Sequence, residues 1–208
     1  MRTSSMIKLR TYVYIDSLQP QLAEDMASVS QGFPPVPGDS CLWVEVAPGM
    51  AVHRITDIAL KSTRVRPGMQ IVERLFGLLE VHSADQAEVR ASGAAILEAL
   101  DVRAEERWKP QIHSSQIIRR VDAHQTQLIN RNRNGMMLIA DQTLYIMEVA
   151  PAAYINFACN EAEKSASTKI IHVSSVGRFG RMWLSGSEAD IVTARDAATK
   201  ALNSLEGK

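Results

Sequence analysis

The hydrophobic positions of this chain follow two different periods in turn. Segments such as "LRTYVYID", residues 9–16, alternate apolar and polar side chains, which is typical of a β-strand. Segments such as "MAVHRITDIALKS", residues 50–62, carry apolar and small residues at the spacing of a helix. Along the chain this pattern predicts a strand, a short helix, a strand, a helix, two strands and a closing helix, and then the same order again.

The order of elements repeats because the sequence itself repeats. "VEVAP" at residues 44–48 returns as "MEVAP" at residues 147–151, an offset of 103 residues. The same offset pairs Lys61 with Lys164, and it continues without a gap over more than fifty positions. Agreement of this length indicates a tandem duplication of one structural unit.

Further upstream the two copies match at a different spacing. "YIDSLQPQL", which starts at Tyr14, and "RVDAHQTQL", which starts at Arg120, agree at an offset of 106, which predicts a three-residue difference in length between the halves. The natural boundary lies in "LDVRAEERWKPQ", where an apolar helix pattern ends in a charged run followed by Pro110. We therefore predict a first domain over residues 1–106 and a second over residues 107–208.

Strands and helices mixed in this order predict an α/β (α+β) fold in each half. The expected architecture is a mainly antiparallel sheet with helices on one side. The closing helix of each half is expected to begin at a serine that caps it, namely Ser83 with Gln86 three residues on, and Ser187 with Asp190 three residues on.

Composition narrows the function classes. Lysine plus arginine and aspartate plus glutamate both number 23, so no global attraction to nucleic acid or to an anionic membrane is expected. The longest apolar runs fall far short of the roughly 20 residues that span a bilayer, and the N-terminus lacks a signal-peptide core. We expect a soluble, cytoplasmic protein. Its two cysteines, Cys41 and Cys159, are expected to be reduced core residues.

Sequence motifs for catalysis, cofactors or metals are missing. The chain has no Gly-rich phosphate loop, no GxSxG elbow and no HExxH motif. Its five histidines are scattered singly, and the glycines of "GRFGR", residues 177–181, fit a tight strand connection better than a dinucleotide fingerprint. We predict that the chain is not an enzyme, with no cofactor and no metal site, although single histidines could still meet in a folded site.

Several blocks carry a resemblance to a known family. "TDIALKST" and "NEAEKSAS" resemble the edge-lysine helix of bacterial microcompartment shell proteins. "EVAPG", "VERLFG", "QLINRNRNG" and "YIMEVAPAAY", together and in this order, resemble the tandem-domain, permuted members of that family. These members are the double-stacking trimers best known from carboxysome shells.

The resemblance implies a fold, an assembly and a location. Each half would be a circularly permuted ferredoxin-like microcompartment domain, and three chains would form a homotrimer that mimics a hexagon around a central pore. Trimers would tile the shell of a bacterial microcompartment beside other hexameric shell proteins, and two trimers would be able to stack face to face. Lys61 and Lys164 would then lie at the lateral edges of the tile.

The resemblance also assigns a role to an ion pair of residues inside an apolar run. Glu73 and Arg74 interrupt "GMQIVERLFGLLEV", where a buried, unpaired ion would cost several kcal/mol. In the tandem family this strand connection faces the axis, so Glu73 and Arg74 would line the pore, with the small residues Val176 and Gly177 at the equivalent positions. A local backbone flip would open or close this gate to small metabolites.

The sequence leaves two other functions open. The main alternative is a trimeric ferredoxin-like sensor that binds a small metabolite at its domain interfaces. An enzyme is the third reading. The host compartment and the metabolite that crosses the pore are not specified by the sequence.

Overall fold

The computed structural model describes residues 7–208 of the chain. The first half contains β1 (Lys8–Ile15), α1 (Pro20–Val29), β2 (Ser40–Ala47), α2 (Ala51–Ser62), β3 (Arg66–Glu73), β4 (Phe76–Ser83) and α3 (Gln86–Leu100). After a short 3₁₀ helix, the second half contains β5 (Gln111–Ile118), α4 (Ala123–Asn130), β6 (Thr143–Ala150), α5 (Tyr154–Ser165), β7 (Lys169–Ser174), β8 (Gly180–Gly186) and α6 (Glu188–Asn203). The predicted order of elements is therefore present twice.

One offset of 103 residues relates the two halves throughout. Strand β1 begins its pairing with Lys8 opposite Ala47, and β5 begins with Gln111 opposite Ala150. The turn after each strand is closed by equivalent bonds, from the Leu18 amide to the Asp39 carbonyl and from the Val121 amide to the Gln142 carbonyl. The predicted three-residue length difference is wrong, and we call residues 103 apart counterparts.

Each half forms a four-stranded antiparallel sheet. The strand orders are β1-β2-β4-β3 and β5-β6-β8-β7, so β2 and β4 are central in the first sheet and β6 and β8 in the second. The register of the first strand shifts at the same place in both sheets, between Leu9 and Thr11 and between Ile112 and Ser114. The extra residue of each bulge is therefore Arg10 in β1 and His113 in β5, and a bulge re-aims the side chain that it carries.

Two helices cover one face of each sheet, as predicted. Helices α2 and α3 bury residues such as Val52 and Ile96 against Leu42, Val44 and Leu79. Helices α5 and α6 pack in the same way on β6 and β8. This packing explains the helical spacing of the apolar residues, because only one stripe of each helix faces the sheet.

One of the apolar clusters spans both halves of the chain. Leu22 and Met26 of α1 join the cluster that contains Ile155 and Ala158 of α5. Strand β2 is buried along seven of its eight residues, because α2 and α3 cover one face while α1 and the second half cover the other. The near-continuous apolar sequence "CLWV" reflects this burial on both faces.

Of the two serines expected to cap the closing helices, one does so. Ser187 is the N-cap of α6, and its hydroxyl accepts a hydrogen bond from the Asp190 amide at 3.2 Å. The expectation for Ser83 is wrong, because Asp85 is the N-cap of α3 and its carboxylate accepts from the Ala87 amide at 2.9 Å. The Ser83 hydroxyl instead accepts a hydrogen bond from the amide of Asp85, before the helix begins.

Both cysteines lie in the core, as predicted. Cys41 and Cys159 are buried and unbridged, and burial raises the pKa of both thiols.

Over residues 7–208, the chain contains no helix with the length and apolar character needed to cross a bilayer. In the same range, histidine, cysteine and acidic side chains form no group of three or more that is suited to a metal ion.

Candidate functional site: a cavity lined by two hairpin turns

The charged dipeptide inside the apolar run forms a hairpin turn. Glu73 is the last residue of β3, Arg74 and Leu75 form the turn, and β4 starts at Phe76. Arg74 adopts the left-handed conformation with φ of 52°, and its counterpart Gly177 has φ of 97°. The apolar run is therefore two strands, and its ions reach solvent where the strands reverse.

The turns of the two halves lie side by side. The Cγ of Glu73 is 4.0 Å from the position that a Cβ would take on Gly177. Together with the segment that joins the halves, the turns line a cavity of about 610 Å³. The fold thus brings together three of the four predicted gate residues, Glu73, Arg74 and Gly177. Val176 is not among the lining residues and packs instead against the core that includes the second-half sheet.

The ion pair at the turn is exposed and weakly held. The Arg74 Nε lies 3.5 Å from the Glu73 Oε1, and the two side chains are 90% and 44% exposed respectively. Exposed pairs of this kind contribute about 0–1 kcal/mol, so the pair does not fix one conformation of the turn. With φ of 52°, Arg74 is not in an extended conformation, so β3 ends at Glu73.

Sequence reasoning missed the residue that anchors this turn. Arg10, in the bulge of β1, forms a buried ion pair with Glu45 of β2, and the exposed fractions of the two side chains are 5% and 2%. Its guanidinium also stacks on the rings of Phe76, at 3.5 Å, and Trp108, at 4.4 Å. Arg10 therefore connects the first turn to the segment that joins the halves.

The Glu45 carboxylate connects the buried Arg10–Glu45 pair to the second half. Its Oε2 accepts a hydrogen bond from the Ala153 amide at 3.4 Å. Burial raises the pKa of Glu45, and the Arg10 guanidinium opposes this shift. Arg10 lies in β1 and Glu45 in β2, and each is a single charged residue within a strand pattern, so the spacing of the sequence does not show that the two form a pair.

The second turn is anchored differently. His113, the counterpart of Arg10, packs edge-on against Phe179 with ring centroids 4.8 Å apart. Glu148, the counterpart of Glu45, is not engaged by His113 but forms an ion pair with Arg181 at 2.8 Å near the surface. The two turns that meet at the cavity therefore occupy equivalent backbone positions, but different side-chain contacts hold them in place.

The cavity is rich in basic groups. The described residues that line it include five arginines and lysines, the histidine His113 and one acid, Glu73. Three of these cations are already ion-paired, Arg10 with Glu45, Arg74 with Glu73 and Lys208 with Glu106. The basic groups are Arg10, Arg74, Lys109, Arg178 and Lys208. A concave surface lined by one sign of charge raises the local concentration of ions of the opposite sign.

The two predicted edge lysines lie away from the cavity and are exposed. Lys61 is near the end of α2, and its Nζ binds the Asp57 carboxylate one helical turn earlier at 2.8 Å. Lys164 holds the same place near the end of α5, where Asn160 replaces the aspartate. Asn160 is 2% exposed because its side chain bonds to the first half. The surroundings of the two lysines thus differ.

Two repeats of one α/β unit, with the equivalent hairpin turn of each at one cavity, make this a tandem-domain protein, and comparisons with known proteins agree. The model of the CsoS1D N-terminal domain family matches residues 9–106. The carboxysome shell protein CcmP of Synechococcus elongatus is 52% identical over 202 residues, which are 97% of this chain and 95% of that protein.

Solved structures give the same result for the fold. The fused permuted hexameric shell protein MSM0275 from the RMM microcompartment superposes with a TM-score of 0.94 at 40% identity, over 97% of this chain and 99% of that one. The double-ringed trimeric shell protein MSM0271 from the same microcompartment gives a TM-score of 0.94 at 37% identity, over 97% and 98% of the two chains. The expected fold of two tandem permuted microcompartment domains is confirmed.

The chain belongs to the family of tandem-domain carboxysome shell proteins that includes CcmP and CsoS1D. The resemblance found in the sequence is therefore confirmed. It is a family of shell proteins rather than of enzymes.

Proposed function

We propose that the chain is a structural protein of a bacterial microcompartment shell, and that three copies close a ring around a gated pore for small metabolites. The observation that carries the proposal is the meeting of the two turns, with Glu73 4.0 Å from the Cβ position of Gly177, at one cavity of about 610 Å³. Three copies around an axis would bring six such turns together, three of each kind.

The gate is the turn at Arg74. Its left-handed backbone costs roughly 1–2 kcal/mol for a residue other than glycine, and its ion pair with Glu73 contributes no more than about 1 kcal/mol. Two conformations of similar free energy are therefore accessible, and a bound ligand can shift their populations. The glycine at the second turn leaves space in which the Arg74 side chain can move.

The basic lining favours anionic metabolites. Lys109 and Arg178 stand with Arg74 among the lining residues, where Glu73 is the acidic one. Among the described residues Lys109 and Arg178 form no ion pair within the chain, and a ring of three copies would repeat these two cations three times. Small carboxylate or phosphate compounds are therefore expected to pass more readily than cations of the same size.

The mass of the native protein tests the ring. Three chains of 22.9 kDa give 68.7 kDa, and two stacked rings give twice that mass. A stable monomer in light scattering at micromolar concentration would contradict the proposal.

The passage of a small organic anion through reconstituted shells tests the gate. Glu73→Ala with Arg74→Ala should leave assembly intact and make passage faster. The matched control is Asp16→Ala with Arg90→Ala, which removes an exposed ion pair of 2.9 Å outside the cavity lining and should change nothing. Equal permeability of the two variants would refute the gate.

The lateral edges form a separate part of the proposal. Lys61 and Lys164 are exposed at equivalent ends of α2 and α5, where a lysine can lie along a neighbour and donate to its carbonyl groups. Lys61→Asp with Lys164→Asp should abolish flat sheets in electron micrographs while the trimer mass and melting temperature stay the same. Unchanged tiling would refute the role of the lysines.

The cavity also supports the second candidate, a trimeric sensor. Its volume of about 610 Å³ lies in the range of small-molecule sites, and its basic groups suit an anionic effector. Electron microscopy distinguishes the two functions. Hexagonal sheets support the shell protein, whereas isolated trimers that change on ligand binding support the sensor.

A further inference from the structure

Aromatic side chains are concentrated at the cavity between the two turns. The chain has three tryptophans, four tyrosines and four phenylalanines, and three of these eleven rings stand in a lining of 15 residues. They are Phe76, Trp108 and Phe179, and His113 adds an imidazole ring. A passage for simple anions needs cations but no such rings, so the rings require an explanation of their own.

The two phenylalanines are explained by the turns that they support. Phe76 is stacked by the Arg10 guanidinium, and its counterpart Phe179 packs against His113, so both rings hold their turns in place. Trp108 is different, because it is 43% exposed although the Arg10 guanidinium covers one face of its ring. The part of the indole that Arg10 leaves uncovered is therefore an aromatic surface that the cavity offers to a ligand.

The backbone around Trp108 is fixed on both sides. The Trp108 amide donates to the Arg10 carbonyl at 3.1 Å, and the Trp108 carbonyl accepts from the Tyr154 hydroxyl at 2.7 Å. The next amide, that of Lys109, donates to the Lys208 carbonyl at 2.9 Å. The indole is thus held exposed on a rigid backbone, and a preorganised aromatic group of this kind loses little conformational freedom when a ligand binds.

The two cations of the lining that form no ion pair stand beside aromatic rings. Lys109 directly follows Trp108 in the sequence, and both residues are exposed. The Arg178 guanidinium lies 5.1 Å from the centroid of the Phe179 ring. Cations bind phosphate and carboxylate groups, whereas exposed rings bind flat, apolar groups. A ligand that satisfies both features carries an anionic group and a flat ring system.

We propose that this cavity binds a purine mononucleotide, with the base stacked on Trp108 and the phosphate bound by Lys109 and Arg178. Bases stack on aromatic side chains through their flat π-faces, and a purine has two fused rings, as the indole has. The cavity volume of about 610 Å³ lies in the range of sites for small ligands. This inference rests on the proposed function, because it names a ligand of the same cavity, but the binding itself is measured on the free protein.

The segment that joins the halves limits the chain to one such site. The two turns supply similar groups, since each second strand begins beside a phenylalanine, Phe76 or Phe179. Trp108 and Lys109 have no equivalents in the other half, because the residues 103 positions earlier are a serine and a methionine. We therefore expect one nucleotide for each chain and not two, although the chain is duplicated.

Isothermal titration of the full chain with adenosine monophosphate (AMP) tests the site. Ribose-5-phosphate, which lacks the base, and adenosine, which lacks the phosphate, are the matched comparison ligands. We expect saturable binding of AMP at one site per chain, about tenfold or more tighter than binding of either comparison ligand, because each lacks one of the two contacts. Equal affinity for AMP and ribose-5-phosphate would overturn the stacked base, and no binding of AMP at millimolar concentration would overturn the site.

Two substitutions locate the site, and the chain offers a matched control for each. Trp108→Leu should weaken AMP binding about tenfold and leave ribose-5-phosphate binding unchanged, whereas Arg178→Ala should weaken both. The controls are Phe33→Leu and Arg66→Ala, because Phe33 is 56% exposed and the Arg66 guanidinium lies 5.9 Å from its ring, outside the cavity lining. Unchanged AMP binding in both cavity variants, with unchanged circular dichroism spectra, would overturn the assignment.

The outcomes separate this inference from the proposed gate. Binding of AMP that depends on Trp108, together with wild-type permeability in shells of the Glu73→Ala, Arg74→Ala variant, would support the site and refute the gate. Faster passage in that variant, together with no binding of AMP to the wild-type chain, would overturn the site and leave the gate.

Discussion

Removing Arg10 should destabilise the chain far more than removing any exposed arginine. The Arg10→Ala change leaves the Glu45 carboxylate, 2% exposed, with one hydrogen bond of 3.4 Å from the Ala153 amide. Breaking one side of a buried ion pair costs about 3–5 kcal/mol, because the remaining charge is uncompensated. The stacking of Arg10 on Phe76 and Trp108, at roughly 0.5–2 kcal/mol for each ring, is lost as well.

The second half supplies a matched control for this measurement. Glu148 is the counterpart of Glu45, and its ion pair with Arg181 is partly exposed, at 27% and 44% for the two side chains. Arg181→Ala should cost about 1 kcal/mol or less. The free energies of unfolding are compared by urea denaturation at pH 7 and at one protomer concentration, since assembly adds to apparent stability.

A further variant isolates the buried charge as the cause. Arg10→Met combined with Glu45→Met replaces both ions with apolar groups and should recover most of the loss, because neither leaves a charge behind. Arg10→Met alone should remain destabilised. If Arg10→Ala costs no more than Arg181→Ala, the claim that this buried pair anchors the first turn is refuted.

Three further predictions concern a carboxyl group, the two turns and the thiols. Burial raises the pKa of Asp25 to about 7, so the folded chain keeps a proton that the unfolded chain loses near 3.8. The contribution of Asp25 to the free energy of unfolding is therefore fully present below about pH 4 and is lost as the pH rises towards 7. It falls by about 1.4 kcal/mol from pH 6 to pH 8 in urea titrations, a slope that Asp25→Asn should flatten. Arg74→Gly should raise, and Gly177→Ala lower, the melting temperature, each by the equivalent of about 1 kcal/mol, because both positions are left-handed. Cys41 and Cys159 should react with a thiol reagent only after unfolding, and reaction in the native state would contradict their burial.

The periodicity of apolar residues predicted most of the fold. Alternation, apolar runs and helical spacing predicted the order of strands and helices. Two helices cover one face of each sheet, and the sequence pattern reflects this face; β2 is apolar on both sides because α1 and the second half cover its other face. The error in the first helix of each half came from matching letters, since "QPQL" and "QTQL" agree at an offset of 106. The backbone bonds of Leu18 and Val121 fix the offset at 103, and such bonds are invisible in a single sequence.

The candidate site was predicted in part. Glu73 and Arg74 could be placed at solvent because two adjacent ions cannot be buried cheaply inside an apolar run. Arg10 was missed because an arginine within an alternating strand reads as an ordinary outward residue. Only the bulge at that position turns it towards Glu45, and a bulge leaves no mark in the spacing of the sequence.

Duplication explains why the two turns can differ while the backbone stays the same. Arg74 and Gly177 share a left-handed conformation, yet the first carries a cation on a turn anchored by the buried Arg10–Glu45 pair, and the second carries no side chain. Six identical domains would place either six arginines or six glycines around the axis of the proposed ring. In the proposed ring, a duplicated chain would alternate them, so that three charged turns could move into the space that three glycines leave, each beside its own buried Arg10–Glu45 pair.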